Sequence, residues 1–335
     1  MAIWTKVSGT WRQVSGTWIK MSGTWRSVPQ AWVKVSGTWR SIPTGDIGVF
    51  GGGDFSAVIE YVTISQLSNA CAFGSLTTDR YDLAATSNGI NDRGIFGGGI
   101  DFSVIDYIAI SKPSNAQFFG YLRQTTRTLA ATSNGINNRG VFGGGYIPSV
   151  EISIIDYVTI SQPSNSQFFG YLTQARWGLS ATSNGINNRG VFGGGYRSNV
   201  GNFSTIDYIT VSHTGNALFF GYLRQAKHYL AATSNGINDR GVFKGGIDTS
   251  NYNLSTIDYI TISQIGDAQL FGSLQRQRSG LAATSNGINN RGIAAGGAGS
   301  VVKEIEYINI SQTGNAQLFG YLTFARSYLA ATSNA

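Results

Sequence analysis

The sequence is poor in several residue types, and each shortage excludes a class of protein. Its 335 residues include a single cysteine, Cys71, so no internal disulfide can form. Charged residues make up only 12%, which argues against a charged helical surface or a disordered tail. No apolar run approaches the roughly 18 residues that span a bilayer, and the N-terminus lacks the apolar stretch of a signal peptide. We therefore expect a soluble protein without membrane insertion or signal-peptide export.

Metal-ligating residues are equally scarce. His213 and His228 are the two histidines, and the sequence has no His/Cys cluster of the kind that binds transition metals. The recurrent Asn-Gly-Ile-Asn-Asn/Asp-Arg turns offer amides more often than the carboxylates that Ca²⁺ prefers, so we interpret them as turn chemistry. We expect neither a metal nor another cofactor.

Glycine, by contrast, is abundant, at 45 residues, and much of it belongs to a six-fold repeat. The glycine that opens each (Ile/Val)-Phe-Gly-Gly-Gly segment recurs at spacings of 46, 46, 50, 51 and 51 residues, at Gly48, Gly94, Gly140, Gly190, Gly241 and Gly292. A period of this size indicates a solenoid, a propeller or an array.

Each repeat contains four strand-like segments, which we name A (LAATSNG), B (RGVFGGG), C (IDYITIS) and D (AQLFGYL). None has the 3.6-residue period of a helix, and segment C alternates apolar and polar residues as a strand does. The sequence therefore predicts an all-β fold, with a six-bladed β-propeller of four-stranded antiparallel blades over residues 45–335.

The two ends of the repeat predict how the ring closes. Leu329–Ala335 is a segment A with no segment B after it, whereas Ile47–Gly53 is a segment B with no segment A before it. We expect the C-terminal strand to pair with Ile47–Gly53 and complete the sixth sheet. Both ends of the propeller would then lie at an A–B turn, on the face opposite the D–A and B–C loops.

The repeat resembles the kelch family and the related galactose-oxidase propellers over residues 46–335. The resemblance rests on an arginine before strand A, a glycine run at the end of strand B and an aromatic residue in strand C. These residues are Arg80, Arg176, Arg278 and Arg326 for the arginine, and Tyr61, Tyr107, Tyr157, Tyr208, Tyr259 and Tyr307 for the aromatic position. The sequence departs from the family where Phe replaces the kelch Trp near strand D, and where the glycine run becomes Lys244-Gly-Gly and Ala295-Gly-Gly. The resemblance implies the fold but not the copper chemistry of galactose oxidase, because Cys71 and the histidines stand apart.

A second repeat precedes the propeller. Tryptophans occur every seven residues, at Trp4, Trp11, Trp18, Trp25, Trp32 and Trp39. The Ser-Gly-Thr segments between them exclude a coiled coil, and the alternating position of the basic residue makes the true unit fourteen residues. We predict three β-hairpins in residues 1–44, with two-residue Ser-Gly turns and stiffer links at Pro29 and Pro43.

Trp-Ser-Gly repeats of this kind resemble those of tailed-bacteriophage virion proteins. The resemblance implies an anchor that docks the chain on other virion structural proteins, and the alternative is a folded cap on the propeller. Residues 1–45 hold six of the 24 basic residues and no acid, which leaves 18 basic against 17 acidic residues in the propeller. One basic residue per anchor strand is too sparse for a nucleic-acid surface, so we expect no nucleic-acid partner.

Charged residues also recur around the ring. Carboxylates precede the strand C tyrosines, and arginines precede five of the strand B glycines: Glu60, Asp106, Asp156, Asp207, Asp258 and Glu306, and Arg93, Arg139, Arg189, Arg240 and Arg291. An active site needs one asymmetric constellation, so we expect ion pairs between blades or caps on turn amides, and no enzyme. The glycine runs lack the Lys-Ser/Thr and the helix of a phosphate loop, and we interpret them as close strand packing near the axis.

The copies diverge in the B–C and D–A loops, which share one end of each blade. Aromatic and basic residues concentrate in the D–A loops: Arg80, Tyr81, Arg127, Arg176, Trp177, Lys227, His228, Tyr229, Arg278, Arg326 and Tyr328. Aromatic rings stack on sugars, and arginine forks bind carboxylates or phosphates. We hypothesise that this face binds an anionic surface glycan or a protein partner. The alternative is that the arginine before strand A is a structural kelch feature and that the other D–A loop residues vary without a binding role.

These features together predict a non-enzymatic structural protein of a phage virion, such as a tail fibre or tail tip. It would assemble in the host cytoplasm as a homo-oligomer and present the propeller to a host-surface glycan or receptor. One alternative is a stand-alone glycan- or protein-binding kelch-type module. A propeller enzyme, such as a lyase or a glycosidase, would need a unique cluster of acid, base or metal ligands at one channel mouth.

Overall fold

The computed structural model describes residues 46–334 except residues 90, 136, 186, 237, 286–289 and 300–301, together with the backbone of six strands between residues 4 and 42. The chain divides into two compact units, Met1–Thr44 and Gly45–Ala335. All described elements are β-strands, as predicted. These residues include no helix that is long and apolar enough to cross a membrane.

The first unit consists of three antiparallel hairpins, which confirms that part of the prediction. Trp4–Val7 pairs with Thr10–Gln13, Trp18–Met21 with Thr24–Ser27, and Ala31–Val35 with Thr38–Ile42. In the first hairpin Val7 pairs with Thr10, so two residues separate the paired strands. The Ser-Gly pairs, Pro29, Pro43 and the tryptophan side chains lie outside the described part of the molecule.

The second unit is the predicted propeller of six blades, each with its strands hydrogen-bonded in the order A, B, C, D. In blade 1 the strands are Ala330–Ser333, Ile47–Gly51, Val58–Thr63 and Cys71–Ser75. Blade 2 has Ala84–Thr86, Arg93–Gly97, Val104–Ala109 and Gln117–Tyr121, and blade 3 has Ala130–Thr132, Arg139–Gly143, Ile154–Thr159 and Gln167–Tyr171. Blade 4 has Ser180–Thr182, Arg189–Gly193, Thr205–Thr210 and Leu218–Tyr222, and blade 5 has Ala231–Thr233, Arg240–Lys244, Thr256–Thr261 and Gln269–Ser273. Blade 6 has Ala282–Ser285, Arg291–Ala295, Glu304–Asn309 and Gln317–Tyr321.

Two further hairpins extend the B–C loops on one face of the ring. Tyr146–Ile147 pairs with Val150–Glu151 in blade 3, and Tyr196–Arg197 pairs with Gly201–Asn202 in blade 4. The B–C loops of blades 3 and 4 therefore form regular hairpins beside the D–A loops.

The C-terminal strand closes the ring as predicted. Ala330–Ser333 pairs antiparallel with Ile47–Gly51, with Thr332 opposite Val49. The Ile47 N–H also donates to Asn334 Oδ1 at 3.1 Å. Blade 1 is thus built from both ends of the propeller, which meet at its A–B turn.

The core lies between the blades. Described apolar side chains form six clusters, and each cluster combines residues of two neighbouring blades. In one of them, Ile95 and Phe119 of blade 2 pack with Phe142 and Val158 of blade 3. The strands A are innermost, and their leucines and small residues line a channel with a cavity of about 110 Å³. Six strands converge on the axis, so the repeated Ala-Ala pairs provide the small side chains that this crowding requires.

The glycine run of strand B packs closely, but against the next blade rather than at the axis. A Cβ on Gly143 would lie 2.8 Å from the ring of Phe192 in the next blade. The next two residues, Gly144 and Gly145, have φ values of 65° and 113°, which favour glycine.

Blade 5 breaks this glycine pattern at Lys244. The repeat places Ala294 of blade 6 where the other facing blades have a phenylalanine ring. Lys244 is 1% exposed, and burial lowers the pKa of its ammonium to about 7. A long side chain is therefore tolerated where the facing ring is missing, because the summed volume of the two positions is conserved.

The outer edge of each blade is covered by the C–D loop of the next blade. In blade 3, the Tyr171 N–H donates to Asn216 Oδ1 at 3.1 Å, and the Tyr171 carbonyl accepts from the Ala217 N–H at 2.7 Å. A Cβ on Gly170 would lie only 2.1 Å from the Gly215 carbonyl oxygen. The same tight approach is made at all six strand D glycines: Gly74, Gly120, Gly170, Gly221, Gly272 and Gly320. These turns protect the sheet edges from pairing with another chain.

We predict that Gly170→Ala lowers the free energy of unfolding by about 2–4 kcal/mol, because the added methyl group must push a backbone carbonyl away. Gly215→Ala is the matched control, since a Cβ at that position meets nothing within 4 Å. We expect the control to be neutral or stabilising by up to about 1 kcal/mol. Chemical denaturation of both variants makes the comparison, and equal stabilities would contradict the packing described here.

Candidate recognition site at the channel mouth

Five basic residues predicted to bind a ligand lie beneath the surface. They are at most 1% exposed, and each contacts the strand C carboxylate of the blade it enters at 2.7–3.2 Å. The pairs are Arg80–Asp106, Arg176–Asp207, Lys227–Asp258, Arg278–Glu306 and Arg326–Glu60. The structure thus corrects their assignment to an exposed binding face. They have the structural role that the alternative interpretation gave to this position.

The pair in blade 1 shows what these residues do. Arg326 follows strand D of blade 6, and its guanidinium reaches into blade 1, where it donates to the Gly52 and Val58 carbonyls at 2.9 and 2.7 Å and to Glu60 at 2.7 Å. Glu60 also accepts the Thr323 N–H at 2.8 Å. Burial lowers the pKa of Arg326 and the carboxylate raises it, and a guanidinium stays charged under such conditions. One buried pair therefore fastens the D–A loop to the next blade.

Blade 3 departs from this arrangement. Thr126 takes the position of the buried cation, and it is too short to reach the strand C carboxylate. Asp156 instead contacts Arg123 at 3.5 Å, and the Arg123 side chain is 46% exposed. Burial raises the pKa of Asp156. The D–A loop that enters this blade is therefore held more weakly, and Arg127, the residue after Thr126, forms no ion pair within 4 Å with a carboxylate of the described residues.

The strand B arginines lie over a tyrosine ring of their own blade and donate to a carbonyl of the neighbouring blade. Arg139 lies over the Tyr157 ring at 4.8 Å and donates to the Val211 carbonyl of the next blade at 3.0 Å. The other members of the set repeat this geometry: Arg93, Arg189, Arg240 and Arg291. Ion pairs between blades were predicted for these arginines; among the described residues, their contacts with the next blade are hydrogen bonds to carbonyls instead.

The Asn-rich turns form hydrogen bonds from one blade to the next. Asn187 Nδ2 donates to Asp239 Oδ1 of the following blade at 2.7 Å, and Asp239 Oδ1 also accepts the Ser263 N–H at 3.1 Å. The turn oxygens therefore bind amides, as the turn interpretation predicts. Among the residues that the structure describes, no group of three or more His, Cys, Asp or Glu could hold a metal ion.

A closed ring of hydrogen bonds surrounds the opposite mouth of the channel. It is formed by the six residues that directly precede the strand A leucine: Asp82, Thr128, Gly178, Tyr229, Gly280 and Tyr328. Each N–H donates to the carbonyl of the ring residue in the preceding blade at 2.7–3.0 Å. All six have φ values between 53° and 63°. Glycine adopts this conformation freely, whereas other L-residues lose about 1–2 kcal/mol in it.

An aromatic cluster covers one side of this mouth. Tyr229 contacts Tyr328 and Trp177 at ring-centroid distances of 4.9 and 5.3 Å. The cluster extends to Tyr81, 6.3 Å from Tyr328, and to Tyr196, 5.1 Å from Trp177. All five rings are half-buried, so part of each faces solvent. The structure thus brings together four predicted residues and adds Tyr196, which comes from the B–C hairpin of blade 4.

His228 supports the cluster from within. It is buried, and its ring lies 5.2 Å from that of Trp177 and 5.0 Å from that of Tyr229. Burial lowers its pKa to about 4, so the imidazole is neutral at physiological pH. It therefore packs as an aromatic ring and adds no charge to the site.

Asp82 is a further residue of the mouth that the sequence prediction missed. Its carboxyl lines a cavity of about 80 Å³ together with the other ring residues and the strand A leucines. Burial raises the pKa of Asp82 to about 7, and nearby Arg127 acts in the opposite direction. The signal was present in the repeat, since the position before the leucine holds an acid in one copy only.

We predict a pH-dependent stability that Asp82→Asn removes. The folded-state pKa of about 7 lies above the ordinary aspartate value of 3.8, so the folded protein holds this proton more tightly than the unfolded chain. Stability is then lost as the pH rises from about 4 to 7. The variant should be more stable than wild type above pH 7 by roughly 1–3 kcal/mol, with the difference closing towards pH 4. Denaturation at several pH values measures this, and parallel profiles would contradict it.

Comparison with protein-family models gave no match, and a search of curated proteins gave none. The fold and the site define the class of protein as a closed six-bladed β-propeller with an asymmetric aromatic mouth. The resemblance to the kelch family is therefore a resemblance of the sequence repeat alone.

Proposed function

We propose that this chain is a non-enzymatic structural and recognition protein of a tailed-phage virion. Residues 1–44 dock on other virion proteins, and the propeller presents its aromatic mouth to a host-surface glycan. Copies associate as a homo-oligomer within the particle, which assembles in the host cytoplasm.

The observation that carries the recognition role is the asymmetry of the mouth. The buried cations recur in five blades, and the strand B arginines and the Asn-rich turns repeat their contacts, whereas the side chains of the mouth differ from blade to blade. Tyr229 and Tyr328 retain large side chains in a backbone conformation that Gly178 and Gly280 adopt without strain. Unfavourable backbone conformations that persist are concentrated at functional sites.

The chemistry of the mouth suits a sugar. The half-exposed rings of Trp177, Tyr229 and Tyr328 offer faces on which the C–H groups of a pyranose stack. The Asp82 carboxylate accepts hydroxyl hydrogen bonds, and the Arg127 guanidinium donates them. An extended glycan would follow the aromatic cluster across the D–A loops.

The N-terminal hairpins support the docking role. Each has strands of four or five residues, which bury too little surface for independent stability. A module of this kind gains stability from a partner surface, and the Trp-Ser-Gly pattern resembles phage virion proteins. A stand-alone glycan-binding module would instead work without residues 1–44.

A propeller enzyme is the less favoured alternative. A glycosidase uses two carboxyl groups on either side of the scissile bond. Among the described residues that line the mouth cavity, Asp82 is the sole carboxyl group. The site therefore has the composition of a binding surface.

We predict that phage particles with Tyr229→Gly and Tyr328→Gly contain this protein in wild-type amounts but adsorb to host cells about tenfold less or worse, because the stacking rings are lost. The fold should persist, since glycine occupies the same ring position in blades 4 and 6. Tyr252→Ala, at a side chain that is 70% exposed in a different loop, is the control. Mass spectrometry of purified particles and adsorption assays measure both properties. Absence from particles would overturn the virion role, and unchanged adsorption would overturn the recognition site.

A further inference from the structure

A polar cleft opens beside the mouth, between blades 2 and 3. Its cavity measures about 250 Å³, and it is lined by Asp101, Thr125, Arg127, Tyr146, Pro148 and Ser149. The walls come from the B–C loop of blade 2, the D–A loop before blade 3 and the B–C hairpin of blade 3. Arg127 directly precedes Thr128 of the mouth ring, so the cleft lies next to that ring.

Arg127 differs from the buried arginines that pair with carboxylates. It is half-buried, and the described residues offer its guanidinium no hydrogen bond or ion pair. The guanidinium lies 5.0 Å from the centroid of the Tyr146 ring. Backbone hydrogen bonds of 3.1 and 2.9 Å between the two residues fix this stack. The cleft therefore presents an oriented set of free N–H donors.

The charge of the cleft argues against an acidic ligand. Asp101 is exposed on the opposite wall, and Asp82 lies on the mouth side, so Arg127 is balanced by one or two carboxyl groups. An anionic group would gain from Arg127 but would be repelled by both neighbours. Of the six basic residues behind the expectation of an anionic glycan, five are buried.

The remaining lining suits an uncharged sugar. Thr125 and Ser149 provide hydroxyl groups, Asp101 provides acceptors and Arg127 provides donors, which together match the mixed donors and acceptors of a saccharide. Pro148 and the edge of Tyr146 provide apolar surface for its C–H groups.

We infer that this cleft is a subsite for an uncharged sugar residue, adjacent to the one bound over the mouth. The ligand is then a neutral oligosaccharide, with one unit on the aromatic cluster and the next in the cleft. This inference rests on the proposed glycan recognition and specifies its substrate class.

Titration calorimetry of the full chain with oligosaccharides tests this assignment. The probes are oligomers of glucose, galactose and N-acetylglucosamine, with galacturonate oligomers as the acidic counterpart of galactose. We expect wild type to bind a neutral oligomer better than its monosaccharide. Arg127→Gln should lower the affinity for that oligomer about tenfold and leave the monosaccharide affinity unchanged. Arg276→Gln, at a 61% exposed arginine in another D–A loop, should change neither.

A second variant, Arg127→Lys, tests whether oligomer affinity depends on the guanidinium group itself. Arg127→Lys keeps the charge but lacks the planar fork, so it should lose oligomer affinity as Arg127→Gln does. Oligomer binding that Tyr229→Gly abolishes but Arg127→Gln leaves intact would overturn the cleft alone. Preference for galacturonate would overturn the neutral specificity. A wild-type protein that binds no saccharide, or that binds only a host protein, would overturn the proposed glycan recognition itself.

Discussion

The propeller depends on buried cation–carboxylate pairs that join five of its six D–A loops to the next blade. A buried charge without its partner costs several kcal/mol, so a change in one member requires another partner, as Arg123 provides for Asp156 in blade 3. This constraint explains why a basic residue and a strand C carboxylate recur together around the ring. It also removes those cations from the surface. In blade 5 Lys227 replaces the arginine and still reaches Asp258 at 2.9 Å, which shows that the charge is retained when the side chain changes.

The two faces of the propeller therefore have different properties. At the A–B turns, asparagine and aspartate side chains connect neighbouring blades through repeated hydrogen bonds, and the propeller begins there, at Asp46. At the D–A loops, the six hydrogen bonds of the mouth ring fix the backbone while the side chains vary. Because the backbone hydrogen bonds of the mouth ring do not depend on the side chains, the side chains on one side of the mouth can differ without disturbing the ring. In this chain Tyr229 and Tyr328 are the specialised positions, and Asp82, next to Tyr328 in the ring, adds a carboxyl group.

The sequence was sufficient to predict the fold because each blade repeats its own strand and turn signals, and because the incomplete unit at each end indicated closure. It was not sufficient to predict burial. Arg80, which is buried, and Arg127, which is half-buried, are both arginines of D–A loops. Their residue type does not show which of them is buried, because burial depends on packing. Their positions in the repeat do differ: the buried cations recur at one position, whereas Arg127, Tyr229 and Asp82 interrupt the pattern. The pairing of Lys244 with Ala294 could be found in the same way, because the two exceptions occur in adjacent copies.

The central claim is that the cations before strand A hold the blades together and do not contact ligand. The most direct test compares Arg176→Met with Arg123→Met by chemical denaturation. Arg176 is fully buried against Asp207, whereas Arg123 makes a partly exposed contact with Asp156. The account predicts that Arg176→Met lowers the free energy of unfolding by about 3–5 kcal/mol and that Arg123→Met lowers it by about 1 kcal/mol or less. Unchanged stability of Arg176→Met, together with lost ligand binding, would contradict the account.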